Sequence, residues 1–244
     1  MRTFIFIVLF VAFTDAIAGD DQFSSQEELG RWLTYYYLEP EPDRIPAALR
    51  YMSESGALDE GNTLPSIFGF LSGCFASNPD AVKKTTSALE NLPDNHFSVV
   101  LLGLWYANLP NSQSEVYQFL DSNRNLNNQL SYLRTGMPMA LFEIPLEQGP
   151  WVLDALWGRY FATGKSETVE RITEALPWSE VKEDIGRLLV GGAAKWSLSS
   201  NAFQHERVKE IVVSLSERNP ENKYLAEVLT QAAQYEAEKA NQAN

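Results

Sequence analysis

Gly164-Lys165-Ser166 is the tail of a phosphate-binding loop, and the rest of the loop decides whether it is one. Such a loop needs a further glycine five residues earlier and a strand leading in, because backbone N–H groups must curl around the phosphates from a sheet edge. Arg159 occupies the required position and the lead-in "WVLDALWGRYFAT" has helical spacing, so nucleotide binding is not expected. Gly164 reads better as the glycine that ends one helix, with Ser166 capping the next and Glu167 in its first turn. His96 and His205 are the only imidazoles, and neither has a second ligand at helical metal spacing. No metal and no cofactor is therefore expected. A serine nucleophile on a strand-to-helix elbow would show as G-x-S-x-G, which has no match. Glu143, Glu147 and Asp154 are the candidates for an acid–base pair acting on a glycan of the cell envelope, a chemistry that needs two carboxyl groups about 5–10 Å apart.

Two stretches could grip rather than cut. Asp154 falls between Val152-Leu153 and Ala155-Leu156 in an apolar helix, with Trp157, Arg159 and Tyr160 close by. It is either a solvated or hydrogen-bonded structural carboxylate, or the polar floor of a groove. The second stretch, "GRLLVGGAAKWSLSSNAFQHERV", places Trp196, Asn201, Gln204, His205 and Arg207 around a helix junction. That cluster can hold a peptide, or it can be a buried junction whose amides satisfy loose helix ends. Gly191, Gly192, Ala193 and Ala194 lower helix propensity there, which predicts a neighbouring helix in close approach.

The elements that must position these side chains are helices, since apolar residues recur at spacings of three and four and strand-like alternation is scarce. In "SSQEELGRWLTYYYL" serine caps and a Glu-Glu first turn precede Leu29, Trp32, Leu33, Tyr36 and Tyr37, one amphipathic helix that Pro40 and Pro42 end. Asp43 caps a helix carrying Ile45, Ala48, Leu49 and Met52, which Gly56 stops. Asn78-Pro79 and Asn219-Pro220 read as a cap followed by proline at the first helical position. Asp94, Asn111-Ser112 and Gly149-Pro150 open further helices. Three junctions, from Tyr37, Phe75 and Phe161, share a plan of aromatic helix end, polar turn, acidic residue and apolar helix. Their spacing suggests paired-helix units of ~40 residues. The expected fold is all-α: antiparallel helix pairs in an α-solenoid-like (TPR/HEAT-like) array, or a compact helical bundle.

Residues 1–18 carry a single basic charge, an apolar run from Phe4 to Phe13 and Ala16-Ile17-Ala18, the pattern of a secretory signal cleaved between Ala18 and Gly19. The expectation is a single all-α domain over 19–236, a frayed tail over 237–244, and a periplasmic or secreted location with no membrane anchor after cleavage. A net charge of -13 repels phosphate backbones, so nucleic acid is not an expected partner. Cys74, the only cysteine, lies among apolar residues and reads as a buried, inert thiol.

The strings "YYYLEPEPDRIPAALRYMSESGAL", "LWGRYFATGKSETVERI" and "AAKWSLSSNAFQHERV" resemble the landmarks of an uncharacterised family of secreted proteobacterial helical proteins. The resemblance implies an envelope setting and one continuous helical domain, and it carries over no activity and no catalytic residue. The sequence thus points to a non-enzymatic protein- or peptide-binding helical protein, with Trp157, Arg159, Tyr160, Trp196, Asn201, His205 and Arg207 as candidate contacts. The alternatives are an envelope glycan-acting enzyme with paired carboxylates and a structural homo-oligomer.

Overall fold

The computed structural model describes residues 22–136 and 139–242, so the signal sequence and its cleavage point lie outside the described residues. Those residues form twelve α-helices and no strand. The first is α1 (Gln26–Tyr35), whose cap is Ser25: its hydroxyl accepts the Glu28 N–H while Glu28 reaches back to Ser24. Next come α2 (Ile45–Glu54), α3 (Leu64–Ser77), α4 (Asp80–Leu89) and α5 (Asp94–Ala107). Beyond them lie α6 (Ser112–Ser122), α7 (Arg124–Leu130), α8 (Pro150–Thr163) and α9 (Ser166–Thr173). The chain closes with α10 (Ile185–Gln204), α11 (Glu206–Arg218) and α12 (Lys223–Gln242).

Three helices that are apolar nearly all round, α3, α5 and α8, make the centre, as such helices must. The most extensive contact is between α3 and α8, which are far apart in the chain. Glycine makes that approach possible. A Cβ on Gly158 would lie 1.9 Å from the Ser66 carbonyl oxygen, and one on Gly69 would lie 2.0 Å from that of Ala155. The backbones themselves touch there. A pure array contacts only sequence neighbours, so the first two-thirds of the chain is a bundle around the α3–α8 crossing. From α9 onward the packing is array-like, with α10, α11 and α12 resting on one another.

Several local expectations shift. Gly149-Pro150 opens α8 and Gly164, at φ 63°, closes it in the left-handed conformation that glycine tolerates. Ser166, however, is the first residue of α9 rather than its cap; Lys165 holds the cap position without a side-chain hydrogen bond. Asn78 ends α3, and Pro79 takes the cap of α4. Asp43 lies in a short 3-10 turn, leaving Arg44 at the cap of α2. Asn219-Pro220 sits in a turn ahead of α12, which begins only at Lys223. The tail is helical to Gln242, although every described residue beyond Tyr235 is exposed. In the Gly191-Gly192 pair only Gly191 is crowded, against the 3-10 turn Leu176–Glu180 rather than a helix pair; Gly192 faces open space. Cys74 is buried, and burial pushes its thiol up to about 12, far from a reactive thiolate.

Candidate functional site

The seven candidate contacts do not gather at one place. Trp157, Tyr160 and His205 come together. The ring centroid of Trp157 is 5.8 Å from that of Tyr160 and 6.0 Å from that of Phe161, and Phe161 in turn is 5.3 Å from His205. Arg159, on another face of α8, lies over the Phe142 ring at 5.0 Å and donates to the Ser72 hydroxyl at 3.4 Å. Burial lowers its pKa, and it belongs to the α3–α8 packing rather than to a groove with Trp157. Asn201 donates to the Ser197 carbonyl of its own helix, and Arg207 is exposed and paired with Glu210. Trp196 is 59% exposed on α10, and Leu189 and Ile185 of the same helix are also largely exposed.

His205 occupies the α10–α11 turn because its extended backbone lets α11 fold back while its N–H still bonds the Asn201 carbonyl. The ring is only 2% exposed, with Tyr35 at 5.0 Å and Tyr37 at 6.4 Å completing an aromatic surround. Its Nδ1 meets no hydrogen-bond partner, and neither do the Trp157 indole N–H and the Tyr160 hydroxyl. Burial without a compensating acceptor lowers the His205 pKa to about 4, so the ring is neutral at neutral pH. Burial also raises the Tyr160 pKa. The Tyr37 phenol nearby adds to this through its charge and a weak polar contact, though the two hydroxyls do not meet in hydrogen-bonding geometry.

Tyr35 connects this junction to the surface. On its other side, α1 and the turns that follow enclose a cleft of about 310 Å³ lined by Glu28, Arg31, Trp32, Tyr35, Tyr36, Glu39, Glu41 and Arg44. Its floor is aromatic: Trp32 and Tyr36 are buried, edge-to-face at 5.1 Å. One rim is internally matched. Arg44 pairs with Glu28 at 3.0 Å and Glu41 at 3.3 Å, and the Trp32 indole donates to Glu41 at 2.9 Å. Burial alone would raise the Glu28 pKa, but donors from Ser24 and Arg44 outweigh it and the carboxyl is held below its usual value. At the other rim Arg31 and Glu39 are exposed, and no ion pair or side-chain hydrogen bond engages either among the described residues. A smaller hollow of about 160 Å³ between α5 and the 131–134 turn is lined mainly by apolar and aromatic groups, Trp105, Tyr106, Tyr132 and Leu133 among them. It lacks the charged side chains that orient a polar ligand.

The three candidate carboxylates do not act alike. Glu143 accepts the Ala140 N–H of its own turn, and Glu147 pairs with Arg187 at 3.1 Å. Asp154 is exposed at its tip, yet enough protein surrounds it to push its pKa up to about 6. Among the described residues there is no group of three His, Cys, Asp or Glu side chains placed to hold a metal ion, and no helix is long and apolar enough to cross a membrane.

Sequence reasoning missed the contribution of Tyr35 and Tyr37 to this site, having read the tyrosine run only as one face of α1. The signal available was three consecutive tyrosines at a helix end, which cannot all face one core. Compared with known proteins, the chain has no significant match to a family model, a curated protein or a solved structure.

Proposed function

We propose that the protein is an exported binder that takes a peptide segment of a protein partner in the cleft of α1. The observation that carries this reading is the cleft itself. An aromatic floor of Trp32, Tyr35 and Tyr36 lies between a satisfied charged rim and a rim where Arg31 and Glu39 stand without partners. Its volume falls in the range of ~300–1,000 Å³ usual for ligand sites. Tyrosine, tryptophan and arginine are enriched among interface anchors, the two aromatics because they bury much area at small entropic cost. Leu38, 66% exposed at the end of the same turn, extends the apolar surface. The junction around His205 acts from behind: it backs Tyr35 with a rigid wall. Free charges of both signs suit a segment with mixed acidic and basic side chains better than a polyanion. Export is supported by the N-terminal apolar run and its small-residue cleavage pattern.

Selection of peptides from a random display library on the purified chain tests this. Enriched peptides are expected to lose at least about tenfold in affinity on Tyr35→Ala or Arg31→Glu, roughly 1.4 kcal/mol. Peptides that bind both variants as well as the wild type, or a library yielding no enrichment, would remove the cleft from consideration.

A further inference from the structure

Away from the cleft, three side chains that the sequence keeps apart form a continuous hydrogen-bonded line. The Ser53 hydroxyl lies 2.8 Å from His96 Nδ1, and His96 Nε2 lies 2.9 Å from Asp59 Oδ1. Each element has a local reason to deliver its residue. Ser53 is in the last turn of α2, and Gly56, at φ 78°, reverses the chain into the 3-10 turn Ala57–Asp59. That reversal brings Asp59 against the first turn of α5, where His96 points inward and is 5% exposed. The Asn95 side chain donates to the same Asp59 oxygen at 3.2 Å and fixes the carboxylate further.

Proton positions follow from the donor inventory. An ionised carboxylate only accepts, so Nε2 carries the hydrogen and donates it to Asp59. Nδ1 then presents a lone pair, and the Ser53 O–H donates to it. This is the arrangement an activated nucleophile requires: hydroxyl and base within about 2.6–3.2 Å, and the base oriented by a third group. The roles define such a relay, not the ring nitrogen used or the fold that carries it. No strand-to-helix elbow is present because the serine is mounted on a helix.

We infer that Ser53, His96 and Asp59 form a nucleophilic relay that transfers a small acyl group from an ester to water. Ser53 Oγ bonds to the ester carbonyl carbon as its proton passes to His96 Nδ1, and the carbonyl π pair becomes an oxyanion. The oxyanion collapses, the bond to the alkoxy oxygen breaks, and that oxygen leaves as an alcohol carrying the proton from Nδ1. Water then adds to the acyl carbon while giving a proton to Nδ1. The bond to Ser53 Oγ breaks, the proton returns to it, and a carboxylic acid departs. Asp59 stays ionised and stabilises the imidazolium formed in each half. Ser53, on α2, is only half-exposed, which favours a short acyl group over a bulky one.

The test treats the full chain with p-nitrophenyl acetate and locates the acetyl group by peptide mass mapping. The expected result is a burst of about one p-nitrophenolate per chain, acetylation at Ser53, and a rate that rises with pH, since a free base must accept the Ser53 proton. Ser53→Ala and His96→Gln abolish the burst, Asp59→Asn slows it at least about tenfold, and Ser55→Ala, two residues away, leaves it unchanged. Wild-type protein acetylated at Ser55 and other serines as fast as at Ser53, or showing no burst, overturns the inference. So does a burst that survives His96→Gln with the same pH profile. Mapping and pH profile on the wild type need no variant, so a variant that fails to fold does not rescue the idea.

Discussion

The two histidines of this chain sit in opposite surroundings. His96 is buried, yet both its nitrogens meet polar partners, the Ser53 hydroxyl and the Asp59 carboxylate. His205 is buried among Tyr35, Tyr37 and Phe161, its Nδ1 meets nothing polar, and its pKa falls to about 4. One imidazole is placed to pass a proton; the other serves as an aromatic wall. Depth of burial does not separate them. What separates them is whether a neighbouring turn delivers a carboxylate, as Gly56 makes the chain do for His96 and nothing does for His205.

The largest way to break the contrast is to move α8, the helix that walls in His205. Gly158→Ala places a Cβ where the Ser66 carbonyl oxygen already lies, so α3 and α8 must part. A loss of about 3 kcal/mol or more in urea unfolding is expected, at the upper end for overpacking. A variant as stable as the wild type would mean that the crossing is looser than described.

Acid sharpens the contrast from the other side. The folded state holds the His205 pKa at about 4, below the unfolded value near 6.5, so the folded chain disfavours the proton. The resulting contribution is complete above about pH 6.5 and is lost as pH falls toward 4, amounting to about 3 kcal/mol relative to a non-titrating ring. Stability measured at pH 7 and pH 4 should therefore differ less in His205→Phe than in the wild type. An equal fall in both would trace the acid response to other groups.

Removing the other imidazole should cost less. His96→Leu eliminates two hydrogen bonds but leaves Asp59 solvated and Ser53 half-exposed, so about 1–2 kcal/mol is expected in urea unfolding. The smallest effect belongs to Asp154. Burial raises its pKa from 3.8 to about 6, so the ionised carboxylate opposes folding above pH 3.8; Asp154→Asn should remove a titration near pH 6 and raise the unfolding midpoint at pH 7 but not at pH 3.5, by an amount that the exposure of the carboxyl keeps small. Carboxyl carbon shifts followed by NMR would show whether that titration exists.

What was legible in the sequence was local. Ser25 as a cap, Gly149-Pro150 as a start and Gly164 as a stop each depend on a few adjacent residues, and each stands as expected. The all-α class followed from periodicity in the same way. The sites depend on long-range approach. Ser53 and His96 are brought together by the turn at Gly56 and the packing of α2, α4 and α5, which no spacing rule encodes. Gly69 and Gly158 lie inside two helices, and the crossing of those helices explains them. The glycine–alanine run near Gly191 drew notice for close approach, yet Gly192 faces open space. Trp157 and Tyr160 belong to one stretch of the sequence and His205 to another, yet the three meet at one junction, whereas Arg159, next to Tyr160 in sequence, lies with Phe142 and Ser72 because adjacent helical residues point about 100° apart.

The most direct measurement is the side-chain nitrogen spectrum of the two imidazoles, recorded by long-range ¹H–¹⁵N correlation from pH 3.5 to 8. His96 should show a hydrogen on Nε2 and an accepting Nδ1 at neutral pH, and His205 should stay neutral until the pH falls to about 4. A His96 carrying its hydrogen on Nδ1, or a His205 titrating near 6.5 like a free imidazole, would contradict the account.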